Sequence, residues 1–508
     1  MRLETIRSGV LIGMLLFVGG CAMNPVTRQS QFMLISQNEE VQIGEKASKE
    51  VKQEYGYYDA LPNLNAYVNT VGEKLVAQCQ RRDITYHFQV VDSPVINAFA
   101  LPGGYIYVTR GILARMNSED ELAAVLGHEL THVAARHGAA QLSKAYAAQF
   151  GVAAISILNP NIAQSLGGLV DVSLQLALLG YSRGLEHQAD EYGITYAERA
   201  GYNPRGAVKM FHMFETLQEK EPSRMERFLL SHPPTAQRLA YAEKRLVELD
   251  RTRPKLVNKP LKRDVFIEHI DGMRLGQRRG EKVLLGGEFY DKGHGAALTV
   301  PESYSADLNP KEGVATFVRL LKEPGTDQAR RFVAGFEVHD LHLKRTADAF
   351  IKAYLKKIKT PVSVRKSEAL RTKDGRPMAV RIVDLKVENG VLRAMMGFEL
   401  RNKEAFVVYA YTDLASFGVA KGEFTAILQS LRFPSAQELA AVRPPSLKVV
   451  KAGRGDTWRA ICRREFGKKH LASKLALYNG IFNADRQPDP GMLIKIPDVQ
   501  SLADTGKG

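Results

Sequence analysis

Cysteine is nearly absent from this chain: three residues, Cys21, Cys79 and Cys462, in a length of 508. That excludes a disulfide framework and a cysteine-rich metal module. Long apolar runs are missing as well. No uninterrupted twenty-residue hydrophobic stretch occurs, so a polytopic membrane protein is excluded. There is no long internal repeat, no low-complexity tract and no glycine-serine nucleophile elbow. Acidic charge is in deficit, with 55 Asp and Glu against 70 Lys and Arg, a formal surplus of +15. That surplus alone fits nucleic acid, anionic lipid or an acidic polymer equally well. What remains is of globular composition, 45% hydrophobic and 25% charged. At about 150 residues per domain the length suggests roughly three domains.

The N-terminus points to a compartment. Met1, Arg2 and Arg7 form a positive segment, residues 10–18 a short apolar one, and Gly19-Gly20-Cys21 follows. Small residues ending directly at a cysteine resemble a bacterial lipobox. The resemblance implies a signal peptide over 1–20 and a lipid on Cys21 that anchors the chain to a membrane. Ala22, where an Asp would direct retention, implies the outer membrane and the periplasmic face of the cell envelope. The plainer alternative is an uncleaved N-terminal helix. Cys79 and Cys462 are expected as free, buried thiols.

Along the chain, 21–37 reads as a tether. Helical spacing follows over 38–80, then strand-like runs at 86–91, 95–99 and 105–108. Ser118 with Glu121 three residues later forms a capping box that opens a helix to about residue 136. The apolar stretch 144–182 reads as a core hairpin, with a cleft cover or a membrane- or partner-facing surface as alternatives. Further helices are expected at 184–200, 204–220 and 234–249. A charged, proline-bearing linker follows at 250–264. An α+β unit with a largely antiparallel sheet occupies 265–433, a second linker 434–445, and a small unit 446–498.

The strongest chemical signal is His128-Glu129-Leu130-Thr131-His132. Two histidines at i and i+4 leave one helix face and can share one ion. Glu129 is angled away from the first histidine, within reach of a metal-bound water. The bland reading is two ordinary surface histidines on an amphipathic helix. Downstream, Glu186 and Asp190 again lie at i and i+4. Glu186 suits the role of third ligand. Asp190 suits acceptance of a proton from a ligand imidazole. His187 points elsewhere and is the weaker ligand candidate. An Arg183–Glu186 ion pair is the structural alternative for that turn.

His128-Glu129-x-x-His132 followed by Glu186-x-x-x-Asp190 resembles the M48-type gluzincin metallopeptidases over about residues 38–248. Asn24-Pro25-Val26-Thr27 resembles their soluble lipoprotein branch, of the BepA/LoiP type. The resemblance implies a mainly helical zinc peptidase domain over 38–249 with a small antiparallel sheet. It implies one zinc ion per chain, held by His128, His132 and Glu186, with Glu129 as general base. Asn97, Ala98, Gly104, Tyr105 and Ile106 match the family segment that pairs with extended substrate. Ser231-His232-Pro233-Pro234 matches a loop near the zinc, on which His232 can hold the enzyme latent. Arg238 pairs with Asp190 or Glu186, or stabilises an oxyanion. His232 and Arg238 thus join Glu129 as catalytic candidates.

The middle unit resembles a PsbP/Mog1-type α/β/α sandwich, read as a packing or partner module. In the last unit, Gly455-Asp456-Thr457-Trp458, Asn479 and Gly491-Met492-Leu493-Ile494-Lys495-Ile496-Pro497 resemble a βααβ LysM module. That implies candidate glycan contacts at Gly455, Asp456, Thr457 and Asn479, with a purely structural module as the alternative. The fold expected is therefore α+β and multidomain. The function implied is a zinc endopeptidase acting on misfolded or unassembled envelope proteins. The alternative is a largely latent envelope chaperone or peptidoglycan-binding scaffold. Partners implied are unfolded polypeptides, peptidoglycan and outer-membrane assembly proteins, and no nucleic acid.

Overall fold

The structure is a computed structural model. It describes residues 21–155, 180–498 and 502, apart from short stretches at 221–227, 229–230, 233–235, 276, 280–281, 286, 302, 310–313, 323–328, 342–345, 388–389 and 484. The signal segment 1–20, residues 156–179 of the apolar stretch, and Pro233 and Pro234 lie outside the described residues. Among those described, no helix is long and apolar enough to cross a membrane. The chain divides into two compact units, residues 1–275 with 446–508, and residues 276–445.

The first unit opens on a small hairpin, β1 (Cys21–Met23) with β2 (Ser30–Phe32), where the sequence suggested a tether. Asn24 supplies the reason. Its side-chain Oδ1 accepts from the amides of Val26 and Thr27 and turns the chain. Helix α1 (Gln37–Tyr55) starts at a Ser36/Glu39 capping box. Its Glu40 is buried and accepts from Arg81 at 2.9 and 3.0 Å and from Arg136 at 2.7 Å. A carboxylate taken from water needs this degree of pairing. Helix α2 (Pro62–Val76) precedes a three-stranded sheet ordered β3-β5-β4. In it β3 (His87–Val91) runs parallel to β5 (Tyr105–Thr109), and β4 (Ala98–Leu101) runs antiparallel to β5. Gly104 makes the β4–β5 turn possible. Its φ is +111°, and a Cβ there would sit 2.0 Å from the Thr85 carbonyl oxygen.

Short helix α3 (Arg110–Arg115) leads into α4 (Glu119–Ala134), whose N-cap is Ser118 as the sequence indicated. Every residue of α4 is buried, on all faces. Its Leu122, Val125, Leu126 and Val133 belong to the main core, and each such side chain contributes roughly 1.5–3 kcal/mol by leaving water. Around α4 lie α5 (His137–Ile155), α6 (Arg183–Arg199), α7 (Arg205–Lys220), α8 (Ala236–Thr252) and α9 (Arg263–Ile270). The expected linker at 250–264 contains the end of α8 and a further helical turn, Pro254–Val257.

The second unit holds two antiparallel sheets. The smaller orders β6 (Gln277–Arg279), β7 (Lys282–Leu285), β8 (Glu288–Asp291) and β9 (Ala296–Thr299) in sequence. The larger contains β10 (Ser305–Asn309), β11 (Val314–Lys322), β12 (Ala329–Asp340), β13 (Val362–Arg371), β14 (Pro377–Val387), β15 (Gly390–Arg401) and β16 (Glu404–Asp413). Its order is β10-β11-β12-β16-β15-β14-β13, so β13 is an edge. Helix α10 (Ala347–Lys357) covers one face, packing Phe350 and Ile351 on Val383, Met396 and Phe398. Helix α11 (Leu414–Gln429) covers the other, packing Phe417, Phe424 and Leu428 on Met395, Phe406 and Val408. Side chains alternate between the two faces along β16, as a strand requires.

The chain then returns to the first unit. β17 (Lys448–Lys451), α12 (Trp458–Phe466), α13 (Ala472–Tyr478) and β18 (Leu493–Ile496) follow, with β17 and β18 antiparallel. Trp458, Ile461, Leu475 and Ile494 share one core with Phe266, Ile267 and the residues of α4. Arg263 donates to Asn479 Oδ1 at 3.2 Å and to the Leu493 carbonyl at 2.9 Å. Lys495 is buried, and its ammonium donates to the carbonyls of Ala114 at 2.9 Å and Met116 at 2.6 Å. Those carbonyls end α3, where a cation complements the helix dipole. Residues 265–275, which the sequence suggested as the start of the middle unit, pack in the first one.

Candidate metal centre

Helix α4 presents His128 and His132, α6 presents Glu186 and Asp190, and His232 lies ahead of α8. The crossing of α4 and α6 is close because both contact residues are glycine. A Cβ on Gly127 would lie 2.6 Å from the Gly193 carbonyl oxygen, and one on Gly193 would lie 2.7 Å from the His128 amide nitrogen. One potential ligand atom from each of His128, His132, Glu186 and His232 falls within 4.8 Å of the others, and all four residues are buried.

The ring nitrogens are oriented by their neighbours. Asp190 Oδ1 lies 2.9 Å from His128 Nδ1. Asp190 can only accept, so Nδ1 carries the proton and Nε2 is a lone pair aimed at the cluster. Arg238 holds Asp190 in place with Nε on Oδ2 at 2.7 Å and Nη2 on Oδ1 at 2.8 Å. Arg238 Nη1 also meets Glu186 Oε2 at 2.9 Å. The pairing alternative for Arg238 is therefore the one the structure contains. On the other imidazole, Gln188 Oε1 accepts from His137 Nε2 at 2.6 Å. His137 Nδ1 then accepts from His132 Nδ1 at 2.9 Å, which leaves His132 Nε2 as a second lone pair. Tyr181 stacks on His132 with ring centroids 4.0 Å apart.

The donor set fits a divalent cation. His128 Nε2 and His132 Nε2 lie 3.1 Å apart with both lone pairs inward, a repulsive arrangement unless a cation joins them. Glu129 Oε2 and Glu186 Oε1 are buried and lack a hydrogen-bond partner among the described residues. Two imidazoles and a carboxylate are a zinc donor set. Charge is balanced in the same way. Burial raises Glu129, against the opposing pull of His232 and His128. Burial also pushes Glu186 up, but His232 and His128 outweigh it and hold the carboxyl well below the ordinary range. Burial holds His132 well below the usual imidazole value and His137 at about 4, so both are neutral at pH 7. Burial lowers His232, but Glu186 and Glu129 overcome it and push the group up to about 9. Its Nδ1 lies 3.3 Å from Glu186 Oε2 and 3.3 Å from His128 Nε2. A proton there and a cation in the cluster would compete for the same carboxylate.

The remaining sequence candidates separate. Asn97 and Ala98 adjoin the cluster: His232 Nε2 donates to the Ala98 carbonyl at 3.3 Å, and Ser231 Oγ to Asn97 Oδ1 at 3.4 Å. Tyr105 and Ile106 lie on β5, which is paired on both sides, so neither belongs to an edge that could accept another strand. Gly104 serves the turn. In the C-terminal segment, Gly455 and Thr457 are exposed, and Thr457 caps α12. Asn479 is interior instead. Its side chain bonds the Lys495 amide and carbonyl and the Leu475 carbonyl. Trp458 is buried and donates to the Arg486 carbonyl, which makes it core rather than a sugar platform. His187 packs against Tyr241 and is not part of the cluster. Sequence reading missed His137, Gln188 and the glycine pair. The signal for His137 was its place just past the helix that carries both ligands.

Residues 62–246 match the family model described as Peptidase family M48, and with the four-residue cluster the match supports metalloprotease activity. The chain is 31% identical over 228 residues to the Mitochondrial metalloendopeptidase OMA1 of Schizosaccharomyces pombe, covering 44% of this chain and 66% of that protein. It is 29% identical over 203 residues to the Beta-barrel assembly-enhancing protease of Escherichia coli, covering 39% of this chain and 41% of that one. The chain thus spans less than two thirds of these relatives. A solved cyanobacterial PsbP from Synechocystis covers 32% of this chain and 99% of its own, at 13% identity and a TM-score of 0.24. That likeness is too slight to assign a fold type.

Proposed function

We propose that this chain is a zinc-dependent endopeptidase of the bacterial cell envelope that cleaves misfolded or unassembled polypeptides. The single observation behind it is the buried convergence of His128, His132, Glu186 and His232 with Glu129 beside them. His128, His132 and Glu186 would hold the ion, one per chain. Bound there, zinc polarises a scissile carbonyl and acidifies water. Glu129 Oε2, kept basic and unpartnered by burial, takes the proton of the attacking water and returns it to the leaving nitrogen. Asp190 with Arg238, and His137 with Gln188, keep both imidazoles in the ligating tautomer. The edge strand β4 offers its backbone to an extended substrate beside the cluster.

A second reading, a largely latent chaperone or wall-binding scaffold, draws on His232. Its ring sits among Glu129, Glu186 and the Ala98 carbonyl, covering both the cluster and the β4 edge. The finer assignments belong to the same proposal. They are the lipid on Cys21 and an outer-membrane location, the PsbP/Mog1-like middle segment 265–433, and the LysM-like segment 446–498 with exposed Gly455 and Thr457. The relatives named for β-barrel assembly support unassembled envelope proteins as substrates and assembly proteins as partners.

The test is Glu129→Gln. Zinc content by elemental analysis is expected to stay near one per chain while cleavage of an unfolded protein falls by roughly 10²–10⁴-fold. Turnover retained by that variant overturns the role of Glu129. A wild-type protein that binds no zinc overturns the metal assignment.

A further inference from the structure

The second unit carries a surface that peptide hydrolysis does not use. Beside the last turn of α10 and the start of β13 lies an open groove of about 510 Å³. Its floor is apolar, formed by Leu355, Ile358 and Val364, and Val364 is 51% exposed. Lys352, Lys356 and Lys359 rim it, all exposed. None of the three has an acidic partner among the described residues. The neighbouring cations differ: Arg365 pairs with Asp384 at 2.6 Å and Lys366 with Glu368 at 2.5 Å. The groove runs into β13, which is ten residues long, pairs only with β14, and leaves its other edge without a strand among the described residues.

We propose that this groove and edge seat an extended acidic segment of another polypeptide, added to the sheet as a strand beside β13. The backbone row on an edge strand is satisfied by a second backbone. A strand added there places every second side chain on the face bearing Leu355, Ile358 and Val364. On that same face, acidic side chains two positions before and after the apolar ones meet the unpaired lysines. A second copy of this chain fits poorly, because β13 carries Arg365, Lys366 and Arg371 against the one acid Glu368 and so brings no acidic surplus to the unpaired lysines. A bilayer supplies phosphate for the lysines but no N–H or C=O for the strand.

The probe is a fluorescent ten-residue peptide with Thr at every second position and, at the five positions between, Glu, Val, Leu, Val and Glu on one face, titrated by anisotropy into full-length Glu129→Gln protein so that the peptide is not consumed. Saturable binding is expected, weakened about tenfold or more by Lys352→Glu/Lys356→Glu/Lys359→Glu. A peptide of the same charge with prolines at alternate positions, which cannot donate to the edge, is expected to bind at least about tenfold more weakly. Circular dichroism and cleavage of a small soluble peptide check that the triple variant on a wild-type background is folded and active. Binding that ignores the lysines, or that tolerates the prolines, overturns the proposal. So does lysine-dependent sedimentation with phosphatidylglycerol vesicles combined with no peptide binding, which would make the face a lipid contact.

Discussion

Two buried polar clusters lie at opposite ends of helix α4, and they are built on opposite rules. At its C-terminal half, His128, His132, Glu129 and Glu186 crowd together with lone pairs facing inward and two carboxylate oxygens unpartnered among the described residues. Near its N-terminus, Lys495 donates to the carbonyls that end α3, and Asn479 bonds the Lys495 amide and carbonyl. Both clusters are deeply buried, so burial does not tell them apart. Satisfaction does. Polar groups that meet their partners within the chain hold structure, and groups that converge without partners await a ligand. Glu399 on β15 marks the limit of that rule. It is buried with one oxygen unpartnered among the described residues, yet the charged groups around it are Arg376, Arg401 and Asp374, with no imidazole among them.

Deleting residues 446–508 should have the largest effect. The segment shares its core with α4, so the remaining chain is expected to lose cooperative unfolding of the first unit, seen by calorimetry, together with peptidase activity. A deletion that leaves a sharp transition and full activity would make the segment a separable module. Next in size, Lys495→Met keeps the volume but leaves the α3 carbonyls unpaired. A loss of about 3 kcal/mol is expected in denaturant titration, without a change in zinc affinity per folded molecule. Third, Gln188→Leu frees the tautomer of His137 and hence of His132. Zinc affinity should fall by about 10–100-fold with only a small change in unfolding midpoint. An unchanged affinity would remove His137 from the orienting chain.

The smallest effect concerns Glu399. Burial pushes its carboxyl up to about 7, against the pull of Arg376 and Arg401. The native state therefore binds the proton more tightly than the unfolded chain, whose carboxyl keeps the ordinary value of about 4.3. The stability contributed by the protonated group is fully present below the unfolded value and declines as pH rises toward 7. Glu399→Gln should flatten that decline in a series of melting temperatures and leave zinc binding unchanged.

Much of the centre was legible because its information is local. The i, i+4 spacings of His128 with His132 and Glu186 with Asp190 are properties of single helices, and Ser118 and Glu121 announce where the first begins. What was not legible depends on pieces distant in sequence. Asn479 looks like a surface residue of a small module until residue 495 and Arg263 are brought to it. Tyr105 and Ile106 read correctly as strand, but only pairing on both sides reveals that the strand is central. The start of α11 at Leu414 rests on the Asp413 side chain, which accepts from the Ser416 amide. Strand β13 has a weak period in the sequence because an exposed edge carries charge where a buried strand would alternate cleanly.

The contact between Gly127 and Gly193 has a consequence for reading other chains. The two ligand motifs specify what each helix offers but not how near the helices come. That spacing is set by the absence of two methyl groups where the backbones touch. A sequence bearing both motifs with bulky residues at both crossing positions would hold its imidazoles and carboxylate too far apart to share one ion. The working signature is therefore longer than its ligands: it includes a residue one place before the first histidine and another seven places after the glutamate, neither of which reaches the metal.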